Sequence, residues 1–252
     1  MRKVFLLALL VSPIALAQSV SVETHSLMRL PSSTSVLQLE RLDVADYGTL
    51  LIPATIGQIS VEELHLGREA RIAIVPGATA LQLQVRQAQL DHGSQITSRG
   101  APGTHEKPAK AGRDLTLRIE SLTAEELSVD ARGGAGAQGY AGLDGANGED
   151  PGCTWGSAGR GFNGDNGGDG LPGASGALVR VELPQSFPAD QIKVLVDGGP
   201  GGLAGVAGKP GKGGRSKGCL VYRADGGEKG RSGLEGQPGP AGPAGTVTIQ
   251  RL

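Results

Sequence analysis

Four stretches of this chain carry glycine at every third position, and that spacing restricts the fold more than anything else in the sequence. The first runs Gly133, Gly136, Gly139, Gly142, Gly145, Gly148; the second Gly161, Gly164, Gly167, Gly170, Gly173, Gly176. A third runs Gly199, Gly202, Gly205, Gly208, Gly211, Gly214, and a fourth Gly227, Gly230, Gly233, Gly236, Gly239, Gly242, Gly245. Three residues make one turn of a polyproline II helix, so each run sets its glycines along one edge where another backbone can approach closely. Cys153 lies between the first two runs and Cys219 between the last two. The reading is two long hairpins joined at their turns by a Cys153–Cys219 disulfide.

Ahead of the glycine runs the chain repeats at about 22 residues, a period typical of stacked architectures. Leu37, Leu39, Leu42, Val44, Leu50 and Ile52 recur as Ile59, Val61, Leu64, Leu66, Ile72 and Ile74. A third copy starts in step at Leu81 and Leu83, then runs two residues late through Ala88, Leu90, Ile96 and Ser98. Each copy alternates apolar and polar residues, the pattern of strands with one buried face. Further alternating segments hold Leu115, Leu117 and Ile119; Leu127 and Val129; Val179, Val181 and Leu183; Ile192, Val194 and Val196; and Val247 and Ile249. The expected fold class is all-β: a β-solenoid resembling a parallel β-helix, with two inserted glycine-rich polyproline II hairpins. An antiparallel β-sandwich is the competing reading of short alternating strands.

On this reading residues 1–17 are a signal peptide, 18–130 solenoid coils and 131–177 the first hairpin. Residues 178–197 are further strands, 198–245 the second hairpin and 246–252 a last strand. The leader rests on Arg2 and Lys3, the apolar run at 4–11, and the small residues Ala15 and Ala17 before Gln18. It implies export to the periplasm, the cell surface or the exterior, where paired cysteines are oxidised. A shorter insertion at 100–112 leaves after Ile96-Thr97-Ser98, where Val129-Asp130 and Val196-Asp197 lead into the two hairpins. Insertions at one corner of successive coils lie side by side, so the hairpins are expected to stack on one flank.

The glycine runs resemble the polyproline II bundles of snow flea antifreeze protein and of phage tail-fibre tip adhesins, over about residues 131–245. The resemblance implies rods packed glycine edge to glycine edge; it implies no site residue and no cofactor. An intermolecular collagen triple helix is the other way to use such runs, although proline is sparse outside residues 237–243 and strands intervene.

Charge restricts the partners. Without Arg2 and Lys3 the chain has 22 basic residues against 25 acidic ones, a net charge of −3, which gives nucleic-acid binding no support. Between residues 133 and 176 Asp144, Glu149, Asp150, Asp165 and Asp169 stand against Arg160. Between 199 and 245 Lys209, Lys212, Arg215, Lys217, Arg223, Lys229 and Arg231 stand against Asp225, Glu228 and Glu235. Hairpins of −4 and +4 are expected to attract.

Candidate chemistry is sparse. His65 alternates with Leu64 and Leu66 and is read as outward-facing on a strand; Asp91 with His92, and His105 with Glu106, are loop residues considered as metal ligands and read as solvated. Residues 164–170, Gly-Asp-Asn-Gly-Gly-Asp-Gly, look like one copy of a calcium-binding repeat that needs several copies to close its oxygen cages. No cofactor or metal site is expected. Trp155 and Tyr222, near the two cysteines, either pack over the disulfide or present a contact to a partner.

The leading functional reading is an exported structural or adhesive protein. It binds a protein or glycan at a cell surface or matrix, with no membrane span and no nucleic acid. The alternatives are a polysaccharide-acting enzyme using Asp43, Glu62, Glu63 or Arg86, and an ice-binding protein, which the charged residues between the glycines disfavour.

Overall fold

A computed structural model describes residues 18–153 and 156–252; the segment 1–17, read above as a signal peptide, and Trp155 lie outside the described residues. The chain alternates between two parallel sheets. The first holds β1 (Ser19–Val22), β3 (Val36–Val44), β5 (Gln58–Leu66), β7 (Leu81–Leu90), β9 (Leu115–Ala124), β11 (Leu178–Leu183) and β15 (Thr246–Arg251), in that spatial order. The second holds β2 (Leu27–Arg29), β4 (Thr49–Ile52), β6 (Arg71–Ile74), β8 (Gln95–Thr97), β10 (Leu127–Asp130) and β12 (Ile192–Leu195), again in chain order. Parallel pairing throughout both sheets excludes the antiparallel sandwich. Among the described residues the fold is all-β apart from a single 3-10 turn at Ala189–Gln191.

The apolar periodicity accounts for the stacking. Leu37 pairs with Ile59, Leu39 with Val61, Leu42 with Leu64 and Val44 with Leu66; on the second sheet Leu50 pairs with Ile72 and Ile52 with Ile74. These residues and their successors from both sheets form one buried aliphatic cluster. Area removed from water, at about 25 cal/mol per Å², is what holds such layers together. One expectation is corrected: Leu81 does not continue the Ile59 column. Ile59 pairs with Leu83 and Val61 with Val85, so the third repeat runs two residues late from its start. The extra residues sit in the connection at 75–80, where the chain bends without strand pairing and tolerates them.

The long strands β3, β5, β7 and β9 bend near their middles. Each places two exposed residues in succession there, Glu40-Arg41, Glu62-Glu63, Arg86-Gln87 and Glu120-Ser121, and the pairing skips the first of each. β1 pairs only with the second half of β3, whereas β11 pairs only with the first half of β9.

All large insertions take one kind of connection, from a strand of the second sheet to the next strand of the first. These connections are 30–35, 53–57 and 75–80 early in the chain, then 98–114, 131–177 and 196–245. Arg113 anchors the base of this flank. Its side chain is fully buried, with Nε donating to the Thr79 carbonyl at 2.8 Å and Nη2 to the carbonyls of Ile56 at 2.6 Å and Ala54 at 3.3 Å. Burial pulls its guanidinium below the usual arginine value. Asp130 and Arg132 fix the exit of the first hairpin: Arg132 donates to the Asp130 carboxylate from Nε at 2.9 Å and Nη2 at 2.7 Å.

Candidate binding surface: the disulfide-tied hairpins

The four arms of the two hairpins, 133–150, 159–177, 198–214 and 226–245, form no sheet and no helix, yet their backbones are hydrogen-bonded at every third residue. Gly133, Gly136, Gly139, Gly142, Gly145 and Gly148 donate their amides to the carbonyls of Asp197, Pro200, Leu203, Val206, Lys209 and Lys212. Outgoing arms thus run parallel, hairpin to hairpin. Returning arms do the same: Gly161 donates to Glu228, Gly164 to Arg231 and Gly176 to Pro243. Across the antiparallel contacts Gly205 donates to Gly168 and Gly236 to Gly205, while Gly168 donates to Tyr140. The two hairpins stack side by side, and every glycine run finds its partners within the chain.

The glycine requirement is steric. A Cβ on Gly205 would overlap the Tyr140 carbonyl oxygen, and one on Gly139 would overlap that of Gly168. No side chain fits between backbones this close.

A second ladder lies beside the first, made of side chains. Asp144, Asn147 and Asp150 accept from the backbone amides of Lys209, Lys212 and Arg215 at 2.7, 2.8 and 2.7 Å. Asn163, Asn166 and Asp169 accept likewise from Arg231, Leu234 and Gln237 at 2.8, 2.8 and 2.7 Å. Each acceptor occupies the third place of a Gly-X-Y triplet on the first hairpin; each donor occupies the second place on the other. Asn166 and Asp169 of the calcium-like segment are therefore engaged with amides. The charge expectation changes accordingly: Asp144 and Asp150 bind main-chain N–H groups. Among the described residues one ion pair spans the hairpins, Arg160–Glu228 at 3.9 Å.

At the turns, Cys153 and Cys219 are bridged with a Cα–Cα distance of 5.6 Å. The second turn carries the short antiparallel pair β13 (Lys217–Gly218) and β14 (Arg223–Ala224), and the Cys219 amide donates to the Tyr222 carbonyl at 2.8 Å. Tyr222 Oη donates to the Gly152 carbonyl at 3.3 Å, tying one turn to the other. Leu220 and Val221, which belong to no periodic pattern in the sequence, stand fully exposed beside the disulfide. Comparison with protein-family models, curated proteins and solved structures finds no match.

The remaining candidates fall elsewhere. His65 faces outward on β5, as expected, but lies between two carboxylates: Nδ1 is 2.8 Å from Asp43 and Nε2 is 3.6 Å from Asp91. Glu62 pairs with Arg86 at 2.9 Å and Glu63 with Arg41 at 3.9 Å. His92 lies 3.2 Å from Glu125, whereas His105 stacks on Tyr140 with ring centroids 3.9 Å apart. The two loop histidines are not brought together, and among the described residues no group of three or more His, Cys, Asp or Glu side chains is placed to hold a metal ion.

Proposed function

We propose that this chain is an exported structural or adhesive protein whose working surface is the disulfide-tied pair of hairpins. In this reading the two parallel sheets are successive coils of a β-solenoid and the four arms are polyproline II rods. The solenoid is the rigid base, and the bundle projects a prearranged face from its flank. The observation that carries the proposal is the turn region, where Leu220 and Val221 stand exposed on a loop held by Cys153–Cys219 and by the Tyr222–Gly152 bond. Apolar side chains on a fixed loop lose little conformational freedom on binding, which suits recognition of a protein or glycan surface. A disulfide, and the lack among the described residues of any helix long and apolar enough to cross a membrane, accord with export.

Adherence of the labelled protein to cells and matrix tests this. The Leu220→Ser/Val221→Ser double variant is expected to lose adherence while its circular dichroism and disulfide stay unchanged. Undiminished adherence removes the turn from the function. Hydrolysis or elimination on a polysaccharide panel would overturn the binding reading and favour the enzyme.

A further inference from the structure

The two ends of the paired sheets are stepped, and the steps match. At one end the first sheet finishes with β15, one strand beyond β12, the last strand of the second sheet. Val247 and Ile249 of β15 continue the inward-facing columns of Val179 and Val181, yet they are 38% and 45% exposed. The second-half column of the first sheet stops sooner, at β9, and the segment 184–191 with buried Phe187 follows in its place. At the other end the order is reversed. β2 opens the second sheet with Leu27 and Met28 70% and 38% exposed. β3 enters one strand later, its first half lacking a strand partner on the outer side among the described residues, while β1 lies against the second half only.

We infer that the molecule assembles head to tail with further copies of itself, its β12/β15 end receiving the β1–β3 end of the next copy. A single displacement of six strand spacings, about 29 Å at roughly 4.8 Å each, continues all three columns at once. It sets β3 of the next copy beside β15, β2 beside β12, and β1 over the 184–191 segment. Every strand in both sheets is parallel, so the added strands run in the required direction.

Following the pairings from strand to strand gives the contacts. Ile249 falls beside Leu37 of the next copy, Val194 beside its Met28, and Gln250 beside its Gln38. No like charges meet: Lys193 faces Leu27, Leu195 faces Arg29, and Arg251 is turned back onto the carbonyls of Pro184 at 3.2 Å and Phe187 at 2.7 Å. Sheet edges that must stay single are usually guarded by proline or clustered charge. Thr246-Val-Thr-Ile-Gln on β15 and Val36-Leu-Gln-Leu on β3 carry neither; the charges of the contact stand singly, Arg251 at the end of β15, Lys193 on β12 and Arg29 on β2. Because the two surfaces differ, the contact is heterologous and leads to open chains.

Sedimentation velocity of the purified protein, processed as its host processes it, is expected to show mass rising with concentration without a closed end-point. Electron microscopy of the same sample is expected to show an axial repeat of about 29 Å. A monomer throughout the micromolar range overturns the inference. Ile249→Lys breaks one end and Met28→Lys the other; each alone is expected to associate about a hundredfold more weakly. Mixed in equal amounts they retain one intact pair of ends and are expected to give a dimer and nothing larger. Dimers of either variant alone mean a like-to-like contact and refute the arrangement. Should either of these core-facing substitutions disturb folding, Thr248→Arg and Val36→Arg repeat the complementation from outward positions.

Discussion

Nη2 of Arg113 donates to the Ile56 carbonyl at 2.6 Å, joining residues 57 apart in sequence. The same guanidinium reaches Pro53, Ala54 and Thr79, so one side chain holds two earlier connections to the base of the inserted flank. Arg113→Met is expected to cost about 3 kcal/mol or more, since buried carbonyls lose a charged donor and no water replaces it. Arg113→Lys should recover part of the loss, because one ammonium cannot span all four oxygens. Urea unfolding of the three proteins measures the difference.

Replacing Gly205 separates the bundle from a flexible linker. Gly205→Ala drives a methyl into the Tyr140 carbonyl and is expected to cost about 2–3 kcal/mol. Ala204→Val, one residue away and only part-buried, should stay within about 0.5 kcal/mol. Equal thermal shifts for the two variants would contradict the packing described above.

Asn166 offers a test of the side-chain ladder. Asn166→Ala removes the acceptor for the Leu234 amide and is expected to lower stability by about 1 kcal/mol, whereas Asn166→Asp keeps the acceptor and should be close to neutral. Hydrogen exchange at Leu234 reports the change directly. Faster exchange in the alanine variant alone is the expected pattern.

The layering of the strands is legible in the residues themselves. The Leu37–Ile59 spacing of 22 residues marks vertical neighbours because inward residues of stacked strands must be apolar at each level. The glycine period reports close backbone approach just as directly. Arg113 carries no such signal: its partners are carbonyls of connections up to 60 residues away, and its local sequence is that of a solvated loop. Asp144, Asn147, Asp150, Asn163, Asn166 and Asp169 do carry one, a short polar side chain at the third place of successive triplets. Counting charge hides it, because the asparagines accept the same amide bonds as the aspartates.

Acid should loosen the first hairpin at its root. Burial by itself would raise the Asp130 carboxyl, but hydrogen bonds and charge from Arg132 outweigh it and hold the group below its ordinary 3.8. A folded value lower than the unfolded one contributes stability that is complete above about pH 4 and is lost as pH falls through the folded value. Asp130→Asn is therefore expected to lower Tm at neutral pH and to flatten the decline below about pH 4.

Glycine triplets are interchangeable, so a hairpin shifted by one triplet along its neighbour would form nearly the same backbone bonds. Such a slip displaces Cys219 along the arms by about 10 Å, the reach of three extended residues, whereas the aligned hairpins bring the two Cα atoms to 5.6 Å, within the reach of a disulfide. Closing this one pair therefore locks the far ends of the arms in the register that the sheets set at their roots, and a molecule slipped by a triplet is expected to keep both thiols.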